Sequence, residues 1–151
     1  MKTFRVISAL AVVVVVAGTR VGAAPQQGTS TKSLYERLGG YDAIAAIVND
    51  FGRRWDENPQ LKPFILGFSN DTGKRQIQTF IEFFCEQAGG PCTYLGRDMK
   101  TAHEGLVITE GHWKAFMRIL EDSLDAAKIP AAEKAEALQI FTRLKPAIGV
   151  K

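Results

Sequence analysis

The chain has 151 residues, 46% of them apolar and 23% charged, and a formal charge of +3. That length holds one domain with a real core. So small a positive excess gives no footing for nucleic-acid binding. The two cysteines lack a Cys-x-x-Cys spacing, which argues against a dithiol redox motif or a zinc site.

The N-terminal stretch carries much of the charge. Lys2 and Arg5 precede an uncharged run from Val6 to Gly18 that includes five consecutive valines, and Val21-Gly22-Ala23 follows with small residues. This is the pattern of a secretory signal peptide, expected over 1–23, with export to the periplasm. Its apolar run falls short of the ~20 residues that span a bilayer, so no membrane span is expected after cleavage. Without Lys2, Arg5 and Arg20 the net charge falls to about zero. Residues 24–32 are polar and read as a flexible linker, leaving 33–151 as the folded domain. In an exported chain, Cys85 and Cys92 invite a disulfide across Gly89-Gly90-Pro91.

Ser33-Leu34-Tyr35-Glu36 is a capping box, and Gly39-Gly40 stops the short helix it opens. Ile44, Ile47, Val48, Phe51 and Trp55 recur at helical spacing over 41–58. Gly52, in the middle of that helix, requires either a close neighbour or a gap. One more turn fits between Pro59 and Phe64, and 67–73 reads as a loop. A helix over 74–88 buries Ile77, Phe80, Ile81 and Phe84, widened by Phe83, and ends at Gly89-Gly90. From Glu110 to Ala127 the inward residues are Trp113, Phe116, Met117, Leu120 and Leu124. Pro130 starts the last helix, where Ala135, Leu138, Phe141 and Leu144 face in and Pro146 ends or bends it. No segment alternates like a strand. The expectation is an all-α domain of five or six helices.

Both histidines lie between Met99 and Trp113. Asp98 caps a short helix that places Met99 and His103 on one face, and Gly105 stops it. An imidazole at a helix end with an apolar wall around it suits a single axial bond to haem iron. No Cys-x-x-Cys-His occurs, so covalent c-type attachment is excluded. Thr109 caps the next helix, and His112, early on that helix, reads as a solvent or capping-turn residue.

Taken together, Leu34 to Gly40, Asn49-Asp50-Phe51, Glu82-Phe83-Phe84, Ala88 to Pro91, Tyr94-x-Gly96-x-x-Met99-Lys100-x-x-His103 and Ile108-Thr109-x-x-His112-Trp113 resemble the group 1 truncated haemoglobins. The likeness covers about Ser33 to Val150. It implies a shortened globin, a two-over-two helical sandwich around haem b, with a diatomic gas (oxygen, nitric oxide or carbon monoxide) at a pentacoordinate iron. By position His103 matches the proximal iron ligand. Phe83, Phe84, Tyr94, Met99, Ile108 and Trp113 match pocket positions. Phe51, Gln76 and Phe80 match positions near the gas, and Arg75 matches a residue that reaches a haem propionate.

This chain departs from the pattern in four ways. Gly52 stands where the family usually has a tyrosine hydroxyl, and Phe80 where glutamine is common. The resulting gap is expected to be filled by Phe80, Phe51 or water. The loop between Pro63 and Lys74 is about three residues longer than usual, so Phe64, Ile65 or Phe68 packs on the haem edge, Phe64 being the first choice. Export is also atypical. The competing functions are a nitric oxide dioxygenase or peroxidase-like enzyme, which needs an electron donor the sequence does not identify, and a helical module without haem. A monomer is expected.

Overall fold

The computed structural model describes residues 32–151. The expected signal peptide and all of the linker except Lys32 lie outside them. The described residues form α1 (Leu34–Leu38), α2 (Gly40–Glu57), a 3-10 turn (Lys62–Ile65), α3 (Asn70–Gln87), α4 (Met99–Ala102), α5 (Glu110–Ala126), α6 (Ala131–Thr142) and α7 (Lys145–Ile148), with no strand among them.

Local chemistry sets the boundaries. The Ser33 hydroxyl accepts from the Glu36 N–H, and the Glu36 carboxylate accepts from the Ser33 N–H, closing the expected capping box. Gly39 ends α1 at φ +103° and starts α2 in one residue, a turn whose left-handed backbone disfavours any side chain. The helix expected over 74–88 begins four residues earlier, at Asn70. Ser69 caps it by accepting from the Thr72 N–H, so the second half of the expected loop is helical. The last helix is not bent at Pro146. It stops at Thr142, and Pro146 instead sits in the first turn of a separate α7, where its missing N–H costs nothing.

The fold is two helix pairs laid across each other. α2 packs on both α3 and α5, α5 packs on α6, and α1 closes the open side against α2 and α6. Ile44, Ile47, Val48, Phe84, Leu120, Leu124 and Phe141 are fully enclosed between the layers. Phenylalanines join them. Phe51 of α2 stacks on Phe80 of α3 with centroids 5.2 Å apart, Phe80 stacks on Phe141 of α6 at 5.5 Å, and Phe116 of α5 stands edge-on to Phe51 at 5.3 Å. On α6 the buried residues are Ala137 and Phe141, with Leu138 half-buried; Leu144, just before α7, is half-buried too. Ala135, expected inside, is exposed because the α6 stripe is rotated toward α1 and α5.

Charged pairs tie the layers from outside. Asp50 accepts from Arg54 Nε and Arg53 Nη2, each at 2.6 Å, and Arg54 also approaches Asp122 of α5 at 3.9 Å. Arg37 of α1 reaches Glu133 and Glu136 of α6.

Candidate functional site

Two elements are not absorbed into this core. α4 rests mainly on α7 and has no extensive contact with α3. The segment 92–98 and the segment 104–109 connect α4 to α3 and α5. The site is built along this line.

Asp98 starts α4. Its carboxylate accepts from the Thr101 N–H at 3.0 Å, and hydrogen bonds from Thr101 hold its pKa below the ordinary carboxylate value. The helix is a single turn, and His103 is its C-cap, half-buried. His103 Nδ1 lies 2.7 Å from the Met99 carbonyl oxygen. A carbonyl can only accept, so Nδ1 carries the proton, and in the neutral ring the Nε2 lone pair is left free.

The other histidine is held the opposite way. The Thr109 N–H donates to His112 Nδ1 at 3.2 Å, and the His112 N–H donates to Thr109 Oγ1 at 3.3 Å, a capping box with histidine in the third position. Here Nδ1 accepts, so the neutral ring places its proton on Nε2 and offers no second lone pair. The capping-turn expectation for His112 is met. Its ring also receives Phe64 edge-on, centroids 5.0 Å apart. Of the three candidates in the long loop, Phe64 and Ile65 are half-buried and Phe68 is exposed.

The side chains expected to wall the site fall into two groups. Phe83, Phe84 and Trp113 are buried in the core, whereas Phe51 is buried beneath a half-buried Phe80. Tyr94, Met99 and Ile108 are half-buried along the connecting segments. Tyr94 crosses Gly96 so closely that a Cβ there has no room, and its hydroxyl donates to the Arg97 carbonyl at 2.6 Å. Burial, aided by the charge of Asp98, pushes the Tyr94 phenol above its ordinary pKa and keeps that donor protonated. Ile108 is pinned by the C-terminal residue. The Lys151 N–H donates to the Ile108 carbonyl and the Glu110 N–H donates to the Lys151 carbonyl, both at 2.9 Å.

Arg75 and Gln76 are exposed on the first half of α3, one turn ahead of Phe80. Beside Gly52 the expectation fails. The residue that fills the space is none of those expected. A Cβ on Gly52 would meet Ile77 Cδ1 at 2.5 Å, so Ile77 already stands there. Ile77 was legible as an inward residue of α3, but nothing in the spacing placed it against Gly52.

A groove of about 650 Å³ opens beside His103, bordered by Lys100, Leu106, Pro146 and Ile148. It keeps one side of the imidazole-bearing turn accessible. Leu106 and Val107 after α4, and Leu66 and Phe68 before α3, are exposed large apolar side chains. Among the described residues no three His, Cys, Asp or Glu side chains gather as a metal cage. The free imidazole nitrogen can make a single bond to iron, and the groove beside it mixes Leu106, Pro146 and Ile148 with Lys100, Thr101 and Glu104; of the expected site residues only His103 lines it.

A model of bacterial-like globins matches residues 33–149. The group 1 truncated hemoglobin GlbN of Mycolicibacterium paratuberculosis is 34% identical over 117 residues, covering 78% of this chain and 84% of that protein. GlbN of a Nostoc species is 28% identical over 116 residues, 77% of this chain and 96% of that protein. Among solved structures, the truncated hemoglobin of Tetrahymena pyriformis in its Fe(III) form aligns with a TM-score of 0.72 at 25% identity, over 78% of this chain and 97% of that one.

Proposed function

Because the chain belongs to the bacterial-like globin family, with the haem and the gas binding that family brings, we propose that it binds haem b through His103 as the sole protein ligand and takes up a diatomic gas reversibly. Haem iron, when bound, supplies one further coordination position for the gas. The observation that carries this reading is the pair of opposed histidine tautomers. Met99 O holds the His103 proton on Nδ1 and frees Nε2, whereas Thr109 N–H takes up the His112 lone pair.

The remaining assignments rest on the family pattern. Met99, Tyr94 and Ile108 border the ligand histidine. Phe83, Phe84 and Trp113 support that wall from the core, and Phe64 closes an edge. Arg75, exposed at the α3 end, suits a solvent-facing propionate. Phe51, Gln76 and Phe80 face the gas. The chain acts as an exported monomer, and any turnover with nitric oxide or peroxide draws electrons from a separate donor.

The absorbance spectrum of the purified protein with added haem tests this. A sharp Soret band that shifts on reduction and again under carbon monoxide is expected. A spectrum identical to free haem overturns the reading.

A further inference from the structure

Gly52 of α2 faces Ile77 of α3. A Cβ there would lie 2.5 Å from Ile77 Cδ1 and 3.7 Å from its Cγ1, so the conflict is with the terminal methyl alone. Next to it, one residue back on α2 and one turn on along α3, Phe51 and Phe80 stack at 5.2 Å with an interplanar angle of 14°. The two contacts form a single apolar crossing. As it stands the Ile77 δ-methyl occupies the place of a side chain at 52, so one there has to turn that methyl aside, and the side chains of the crossing hold no hydrogen-bond donor.

We propose that Ile77 is a specificity-determining residue of the gas-facing side: its δ-methyl fills the space beside Gly52 and so keeps a hydrogen-bonding side chain out. The inference rests on the haem reading above, which turns the residues around position 52 toward the gas. The crossing gives no side-chain proton to a gas that becomes partly negative when bound, which leaves Gln76 as the one donor among the residues assigned to that side. Such a crossing disfavours oxygen relative to carbon monoxide, which needs no such donor. Gln76, one residue before Ile77 but exposed, lies outside the crossing.

Two sets of variants test the proposal. In a helix interior, alanine is normally more stabilising than glycine, by a margin that raises Tm by about 3–5 °C in a domain of this size. Gly52→Ala should give less than this gain in the native background, where Ile77 Cδ1 has to turn aside. It should give the full gain over Ile77→Val, which lacks that methyl. Equal gains in both backgrounds overturn the proposal, and this arm is read by melting without any gas. In the second arm, Gly52→Tyr combined with Ile77→Ala should release oxygen about ten- to hundred-fold more slowly than Ile77→Ala. Gly52→Tyr alone should slow release less than the pair does. If Gly52→Tyr alone slows release as much as the pair, Ile77 is not the barrier. Failure of every variant to take up haem would fall on the haem reading, and the melting arm would still judge the contact between Gly52 and Ile77.

Discussion

The ring of Tyr94 stands edge-on to Phe83, with centroids 5.2 Å apart. This contact joins the segment leading to His103 to the core face of α3, and it does not act alone. The Tyr94 N–H donates to the Glu86 carboxylate at 3.1 Å, and two residues earlier Cys92 is bonded to Cys85, with Cα atoms 5.8 Å apart. The expected disulfide is thus present, and it fastens the approach to α4 directly to the end of α3.

Removing that bond should loosen this approach. Cys85→Ala/Cys92→Ala closes no loop in the unfolded chain and should lose about 2–3 kcal/mol of stability. If the tether also positions Tyr94, haem loss to an acceptor globin should accelerate. Denaturant melts and haem-transfer kinetics, compared with the oxidised native protein, check both. Unchanged values in both would show that the Phe83 and Glu86 contacts suffice.

The histidines make opposite predictions. His103→Ala should abolish the proximal bond and with it the native Soret band. His112→Ala removes the reciprocal half of a capping box whose N-cap, Thr109, is kept, and should cost about 1 kcal/mol, one ordinary hydrogen bond, while leaving the spectrum in place. A reversed outcome would reassign the ligand.

Gln76 is the polar residue one turn ahead of Phe80 on α3. If its amide reaches the gas, Gln76→Leu should speed oxygen release by about ten- to hundred-fold, the worth of a hydrogen bond to a partly charged acceptor at about 1.5–3 kcal/mol. Stopped-flow displacement of oxygen by carbon monoxide gives the rate. No change would leave Gln76 as a solvent-facing residue.

Asp50 sets an acid limit. Burial raises its pKa, but the hydrogen bonds from Arg54 and Arg53 outweigh it and bring the carboxyl from 3.8 down to about 2. A depressed carboxylate contributes stability above its unfolded pKa and loses it as pH falls through the folded value. The contribution, about 1–2 kcal/mol after allowing for a side chain 26% exposed, should therefore be complete above about pH 4 and fade toward pH 2. The stability gap between the native protein and Asp50→Asn should close over that window. A gap that persists at the acid end would place the interaction elsewhere.

Export is tested on the cell. The basic start, the valine run and the small residues before Ala24 predict a mature chain beginning near Ala24 in the periplasmic fraction. Intact-mass measurement of each fraction reads this directly, and a cytosolic chain that retains Met1 would refute it.

Periodicity and capping chemistry are sufficient for the helical class and for α1, α2 and α5, and cysteine spacing for the disulfide loop, whereas His103 stands out only through the resemblance of the whole pattern. The helices and the disulfide loop are local features. A Ser-x-x-Glu box or an apolar stripe at helical spacing acts through neighbours a turn away, and the sequence lists those neighbours. The start of α3 differs from the expected one because Ser69, inside an apparent loop, is a helix cap, and α7 breaks from α6 because proline starts a helix as readily as it ends one. What the tertiary structure alone decided are contacts between residues far apart in the chain: Ile77 against Gly52, Phe64 against His112, Phe80 on Phe141, and Lys151 bridging Ile108 and Glu110. Each depends on how two helices cross or where a chain end returns. Helical spacing says which face is apolar, but the crossing angle and axial offset that choose a side chain's partner emerge only when all the layers pack at once.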